Sequence, residues 1–450
     1  MTPPSRGWYK PDDLEPPVIV CPISTSTDPT RSDPREGPGA RRLVSSAGIG
    51  VVVSGLLVNV YLAVVARGLT PSEYATFGAF WALALVLGFG PFLPLEQELA
   101  RRLAMRESRR RVLVAGAGTA GILGGLALVV LAAASPLVWS SLDGHLGAFA
   151  ALVALCIVSA GQFLLRGVLI GTDRLVRHGA VMVLDALLRL GSAVVLLVVG
   201  AGMAAWYCWA LVAAIALAHL PLIPAAWRAA ERQFPEPGET THSTRVLTGA
   251  AMPLLVGSVC AQLLLNGLPV VVVALANGGA QAAAGVFVAA FTIAKAPLSM
   301  VVPLQSAVVP TLTRLLGAGR RREVVRLLVR GAGGLAALAV VGVPLAWWIG
   351  PPIITLIFGP AYRIDGVQLA VIVAGVLAHV ALVVVTQVHV ARNRHVDVAM
   401  SWLAGLVVAG LTFWLVPGVV VAGEVAFGVG SLVGALVSTA LLTRRSGRTP

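Results

Sequence analysis

By hydropathy alone, the chain is a succession of apolar runs separated by short polar stretches. Runs fall near 44–66, 75–99, 112–139, 146–170, 179–199 and 203–227. After a polar stretch at 228–246, six more fall near 247–276, 282–304, 331–349, 366–390, 397–417 and 421–443. About 20 apolar residues in helical form cross the hydrocarbon core of a bilayer, and a helix satisfies its own backbone polar groups where no water can. The pattern predicts an all-α polytopic membrane protein of 12 transmembrane helices, arranged as two six-helix lobes.

The polar stretches complete the organisation. Residues 1–43 are rich in Pro, Ser, Thr, Asp and Arg and are expected to form a disordered cytoplasmic tail. PPVIV at 16–20 is too short for the apolar core of a signal peptide, so the first long run is read as a permanent helix. The N-lobe is expected over 44–227, a cytoplasmic linker, RAAERQFPEPGETTHSTRV, over 228–246, the C-lobe over 247–443 and a short basic cytoplasmic tail over 444–450. Arginine sets the orientation. Under this segmentation 24 arginines, among them Arg101, Arg102, Arg109 to Arg111 and Arg320 to Arg322, face one side, and two, Arg67 and Arg363, face the other. Basic loops stay inside, so both termini are expected to be cytoplasmic.

Composition agrees with a membrane protein: 57% hydrophobic and 12% charged residues, against about 25% charged in soluble domains. The net charge of +13 comes from loop arginines and is read as topogenic, not as a nucleic-acid surface. Cys21, Cys156, Cys208 and Cys260 show no CxxC spacing, so no disulfide or metal framework is implied. There is no GxxxxGK[ST] and no HExxH, so no nucleotide site, cofactor or catalytic metal is expected. An ion gradient or the membrane potential is then the energy source to consider.

A weak internal repeat overlies the segmentation. Asn59, Gly78-Ala79-Phe80, Pro94-Leu95 and Arg109 to Arg111 recur as Asn266, Gly285-Val286-Phe287, Pro303-Leu304 and Arg320 to Arg322, at offsets drifting from 207 to 211 residues. Helices one and seven start on the same side, so the halves would be related by an axis along the membrane normal, as in transporters built from parallel repeats.

Polar residues inside the runs are the candidate chemistry. Lys295 lies near the middle of helix eight, where a charge costs about 2.5–3.5 kcal/mol on insertion scales and should face a cavity or a partner. Asp185 and Arg189, four apart on helix five, can neutralise each other as a structural pair or form a head-group site. Asp185 is the one clear mid-membrane carboxylate, and Arg166 is expected to snorkel to the cytoplasmic interface. Asn59 and Asn266, equivalent in the repeat, either face the lobe interface or join helices within a lobe. His219, His379 and His389 read as hydrogen-bonded packing residues more readily than as a proton relay. Pro91, Pro94, Pro253, Pro269, Pro297 and Pro303 should break or kink helices two, seven and eight. The segment RRREVVRLLVR at 320–330 is basic and amphipathic, either a short helix on anionic phospholipid or a plain topogenic loop.

Three stretches resemble the polysaccharide exporter branch of the multidrug/oligosaccharidyl-lipid/polysaccharide (MOP, MATE-like) superfamily, the Wzx-like lipid-linked oligosaccharide flippases. They are ARGLTPSEYATFGAF at 66–80, IAKAPLSMVVPLQSAVVPTLTRLLGAGRRRE at 293–323 and LIFGPAYR at 356–363. Thr76-Phe77-Gly78 departs slightly from the family's tighter Tyr-Gly. The resemblance covers roughly 44–443 and implies a V-shaped pair of six-helix lobes in the bacterial cytoplasmic membrane. By alternating access, these would pass a polyprenyl-diphosphate-linked glycan from inner to outer leaflet for cell-surface polysaccharide biosynthesis. Polysaccharide polymerase and glycosyltransferases would be its partners. Lys295, Arg189, Asp185, Asn59 and Asn266 are the cavity residues such a substrate would meet; the family carries no strict binding motif to assign them. The rivals are a MATE-type drug/cation antiporter, which needs a membrane-embedded acid, and a membrane-embedded glycosyltransferase or polymerase, which needs a long or acidic external loop.

Overall fold

The computed structural model describes residues 38–105, 109–233, 255–298, 312–392 and 394–444. The expected linker beyond Gln233, most of both tails, and Pro253 and Pro303 lie outside them. Long helices follow one another: α1 Pro38–Gly68, α2 Pro71–Ala104, α3 Arg109–Ala133, α4 Leu146–Gly171, α5 Leu175–Val198 and α6 Ala204–Arg232. The second half supplies α7 Leu255–Leu275, α8 Ala280–Ala294, α9 Arg321–Phe358, α10 Gly366–Ala391, α11 His395–Leu415 and α12 Val419–Arg444. Among the described residues ten are long and apolar enough to cross a membrane; the apolar part of α1, Val52–Gly68, and α8 are shorter and occupy the places expected for spans one and eight.

Packing is concentrated within each half. In the first, α4 packs on α2, α3 and α6, and α5 packs on α6; in the second, α12 packs on α10 and α11, and α9 packs on α10. α2 joins the halves by lying against α8 and α7. The repeat explains that crossing. A Cβ on Gly78 would overlap the Val288 side chain, and one on Gly285 would overlap the Pro71 carbonyl. The duplicated glycines are thus the contact between α2 and α8, where small residues let backbones approach. Phe80 and Phe287, two residues on, are both buried.

Pro91, Pro269 and Pro297 act as expected, whereas Pro94 sits inside a regular helical stretch. α2 contains a π-helical turn, Ala84–Phe89, just before Pro91, and α7 contains one, Leu263–Gly267, just before Pro269. Proline lacks an N–H and crowds the carbonyl four residues back; an extra residue in the turn relieves both problems. α8 stops at Ala294 with Lys295 as its C-cap, two residues ahead of Pro297.

One expectation is corrected. The basic stretch at 320–330 is not a separate surface helix: it forms the first turns of α9, which runs unbroken through 38 residues. At 1.5 Å per residue that is about 57 Å, well beyond the ~30 Å hydrocarbon core, so its basic end projects past the apolar layer. α9 is also a rim helix, with Val340, Val341, Trp347, Trp348 and Leu356 exposed as a lipid-facing surface requires.

Candidate functional site

The halves are fastened at the end opposite the Arg-rich loops, by two of the stretches that carry the family resemblance. Thr70 caps α2 by accepting from the Glu73 N–H at 3.3 Å, and Pro71 takes the first helical turn. Glu73 in turn accepts from the Ala204 N–H at 2.7 Å, capping α6. Tyr74 is buried edge-on against Tyr362, with centroids 5.7 Å apart, and against Phe358 at 6.0 Å. Gly359, at φ 111°, turns the chain out of α9 and brings Tyr362 back. The Tyr362 hydroxyl lies 3.0 Å from the Ala66 carbonyl and 3.1 Å from that of Leu69, donating to one at a time. Arg67 donates from Nε to the Ile357 carbonyl at 2.9 Å and from Nη2 to that of Leu356, satisfying carbonyls that the end of α9 leaves open. Ser140, on the short helix Ser135–Ser141, adds a bond of 2.6 Å to the Ala274 carbonyl of α7.

Deeper, the second half holds a polar chain. Lys295 Nζ donates to Asn266 Oδ1 at 2.8 Å, and Asn266 Nδ2 donates to Gln262 Oε1 at 2.7 Å. Asn266 is 1% exposed and sits in the π turn of α7, so the turn that relieves Pro269 also aims this amide. Gln262 reaches the seam, where the nearest atom to a Cβ on Gly90 of α2 would be its Cγ. Ser258, one turn earlier, donates across the seam to the Gly90 carbonyl at 3.0 Å. The Lys295 ammonium also lies 5.1 Å from the Phe291 ring centroid. Phe291 meets Phe427 at 4.9 Å, and Phe427 stacks on His379 at 5.3 Å. Among the described residues no carboxylate comes within ion-pair distance of Lys295. Its charge is therefore met by an amide dipole and an aromatic face, which leaves it free to attract an anion.

The first half treats charge differently. Asp185 and Arg189, 4% and 9% exposed, form a two-pronged ion pair, Nε to Oδ1 at 2.9 Å and Nη2 to Oδ2, and Arg189 faces the Trp81 ring at 5.9 Å. Trp81 in turn lies 6.0 Å from Tyr61. Asn59 joins neither cluster: its Nδ2 donates to the Gly55 carbonyl of its own helix at 2.8 Å. The structure thus pairs Lys295 with Asn266 and Asp185 with Arg189, and leaves Asn59 apart from its repeat partner.

Two readings of single residues change. Arg166 does not snorkel; it is buried and paired with Glu96 of α2, Nε to Oε2 at 3.0 Å, with its guanidinium 4.8 Å from the Phe163 centroid. Asp185 is not the one embedded carboxylate, since Glu96 and Glu424 are buried as well, and Glu424 Oε1 has no hydrogen-bond partner. Glu96 falls near the end of the apolar run at 75–99, beside Glu98 and the Arg101-Arg102 pair, so its burial does not stand out in the sequence. The histidines behave as packing residues. His219 bonds the Ile215 carbonyl at 3.0 Å, His379 the Ser431 hydroxyl at 3.1 Å and His389 the Ser438 carbonyl at 3.0 Å.

The two-lobed helical bundle is the fold seen in solved transporters of the MOP superfamily. The chain aligns with an inward-facing multidrug resistance MATE family transporter of that superfamily at TM-score 0.69 and 13% identity, over 89% of this chain and 98% of the other. With an outward-facing structure of a MATE family transporter the TM-score is 0.59 at 15% identity, over 90% and 96%. A Pyrococcus furiosus MOP superfamily transporter, whose reversed binding-pocket polarity suggests a different function, aligns at 0.56 and 16% identity over 90% and 96%. No family model matches the chain. The chain belongs to the family of the uncharacterized protein Rv1510 of Mycobacterium tuberculosis, with 30% identity over 417 residues, 91% of this chain and 93% of the relative. It is also similar to the uncharacterized protein Rv3630 of the same species, 29% identical over 443 residues, 95% and 98% of the two chains.

Proposed function

We propose that the protein is a transporter that works by alternating access and carries a polyprenyl-diphosphate-linked oligosaccharide across the cytoplasmic membrane for cell-surface polysaccharide biosynthesis. The observation that carries the reading is Lys295, a deep cation of the second half with no carboxylate to neutralise it among the described residues, held by Asn266 and linked through it to Gln262 at the lobe seam. A diphosphate crossing an apolar medium needs such a cation, since unpaired charge there is costly. Amides beside it suit sugar hydroxyls, which both donate and accept. Alternating access is supported by the fastening at one end, and by the higher TM-score with an inward-facing than with an outward-facing relative of the fold. The Arg-rich loops would rest on anionic phospholipid, and polymerase and glycosyltransferases would act before and after transport.

A MATE-type cation antiporter is the second reading, favoured by Glu424, whose buried carboxylate lacks a partner at Oε1. Asp185 serves it less well, being already neutralised by Arg189. The two separate in cells depleted of the native protein and complemented with variants. The flippase reading expects Lys295→Ala to abolish surface glycan while the protein stays in the membrane, and Glu424→Gln to leave it intact. Loss with Glu424→Gln alone, together with gained drug sensitivity, would favour the antiporter.

A further inference from the structure

An apolar cavity of about 340 Å³ lies at the lobe seam, within the ~300–1,000 Å³ of ligand pockets. From the first half it is lined by Leu87 in the π turn of α2 and by Leu137 of the short helix Ser135–Ser141; from the second, by Leu263 and Gly267 of the α7 π turn and by Gly410 and Trp414 of α11. Among the described residues, no charged residue or side-chain amide lines it. Leu137 and Trp414 are also exposed, so the cavity opens on the surface that faces bilayer hydrocarbon. Two glycines keep it open: a Cβ on Gly410 would meet nothing within 4 Å, and one on Gly267 would meet only Leu263 of its own helix. Its placement is the informative feature. Leu263 and Gly267 follow Gln262 and Asn266 by one residue, so one turn of α7 presents Asn266 to Lys295 while its adjacent face walls the cavity. A molecule with an anionic head and a long apolar chain fits both sides at once, head at Lys295 and chain in the seam.

We infer that this cavity seats the isoprenoid tail of the lipid-linked substrate, holding the tail between the lobes instead of leaving it in bulk lipid. Continuity with the polar chain selects this occupant over ordinary phospholipid; its identity rests on the flippase reading above. The test uses the full-length protein in phosphatidylethanolamine/phosphatidylglycerol vesicles. The probe is a polyprenyl diphosphate saccharide carrying a diazirine in mid-tail; adducts are mapped by mass spectrometry after illumination. Adducts are expected on α7, α11 or the Leu137 segment, displaced by unlabelled polyprenyl diphosphate but not by added phospholipid. Gly410→Trp, and separately Gly267→Leu, should lower them roughly tenfold by filling the space the tail needs, with unchanged thermal unfolding confirming the fold. Lys295→Ala should lower head-group affinity without moving the adduct position. Adducts confined to other helices, or equal labelling by a diazirine phospholipid, would overturn the inference. If labelling fails in the seam while export still depends on Lys295, the tail site falls and the flippase reading stands. If the saccharide binds neither variant nor wild type, both fall.

Discussion

Replacing Tyr362 by Phe removes one hydroxyl and leaves its ring packed between Tyr74 and Phe358. That hydroxyl bonds the Ala66 and Leu69 carbonyls at the end of α1, across the two halves, so separating the halves at this end must break the contact. A neutral buried hydrogen bond contributes about 0.5–1.5 kcal/mol net. Losing it should therefore raise the ratio of open to shut outer ends roughly two- to tenfold, since a state-specific interaction shifts the equilibrium by its full difference. The assay is pulsed spin-label distance measurement between Met203→Cys and Val367→Cys. Both sites are exposed, at 49% and 59%, and they lie at this end of opposite halves. Labelled in a background free of the four native cysteines, the Phe variant should show a larger long-distance population than wild type. An unchanged distribution would refute Tyr362 as a fastening that opens during the cycle.

Other expectations follow from packing and charge. Gly285→Ala should destabilise the protein by about 1–3 kcal/mol, because the new methyl meets the Pro71 backbone, whereas Gly410→Ala, which meets nothing, should be nearly neutral; thermal unfolding in detergent compares them. Arg166→Met alone should cost about 3–5 kcal/mol by stranding Glu96 in the interior, and adding Glu96→Met should recover most of it, read by the same melts. Asn266→Leu should weaken binding of a polyprenyl diphosphate, since it removes the acceptor that holds Lys295 at 2.8 Å; undiminished affinity would show that the amide does not position the cation.

The apolar runs and the prolines were legible because each acts locally, through the length needed to cross a bilayer and through a missing N–H. The duplicated Gly78 and Gly285 were visible as a pattern, and the structure supplies their reason: the closest approach of α2 and α8. Helix ends were read less well, since a helix does not stop where the bilayer does. Val, Leu, Glu and Arg at 321–330 are compatible with continued helix, so α9 runs on through its basic turns. Side-chain partners separated far along the chain were out of reach. Glu96 and Arg166 are 70 residues apart, and nothing in either neighbourhood points to the other. Asn59 shows the opposite limit: the repeat suggested a role shared with Asn266, but a helical amide can bond its own carbonyl four residues back, and Asn59 does. Lys295 stood out by depth alone, while its contact with Asn266 needed the π turn that no hydropathy pattern reveals.

The most direct measurement is leaflet transfer by the purified protein in vesicles, using a fluorescent polyprenyl diphosphate saccharide and a membrane-impermeant quencher. Wild type should carry the saccharide across. Lys295→Ala should slow transfer roughly 10- to 150-fold, the equivalent of the ~1.5–3 kcal/mol of a hydrogen bond to a charged group, and Lys295→Arg should retain part of the rate. Transfer by the Ala variant at the wild-type rate, or no transfer by wild type beyond empty vesicles, would contradict the assignment of Lys295 as the cation that shields the diphosphate.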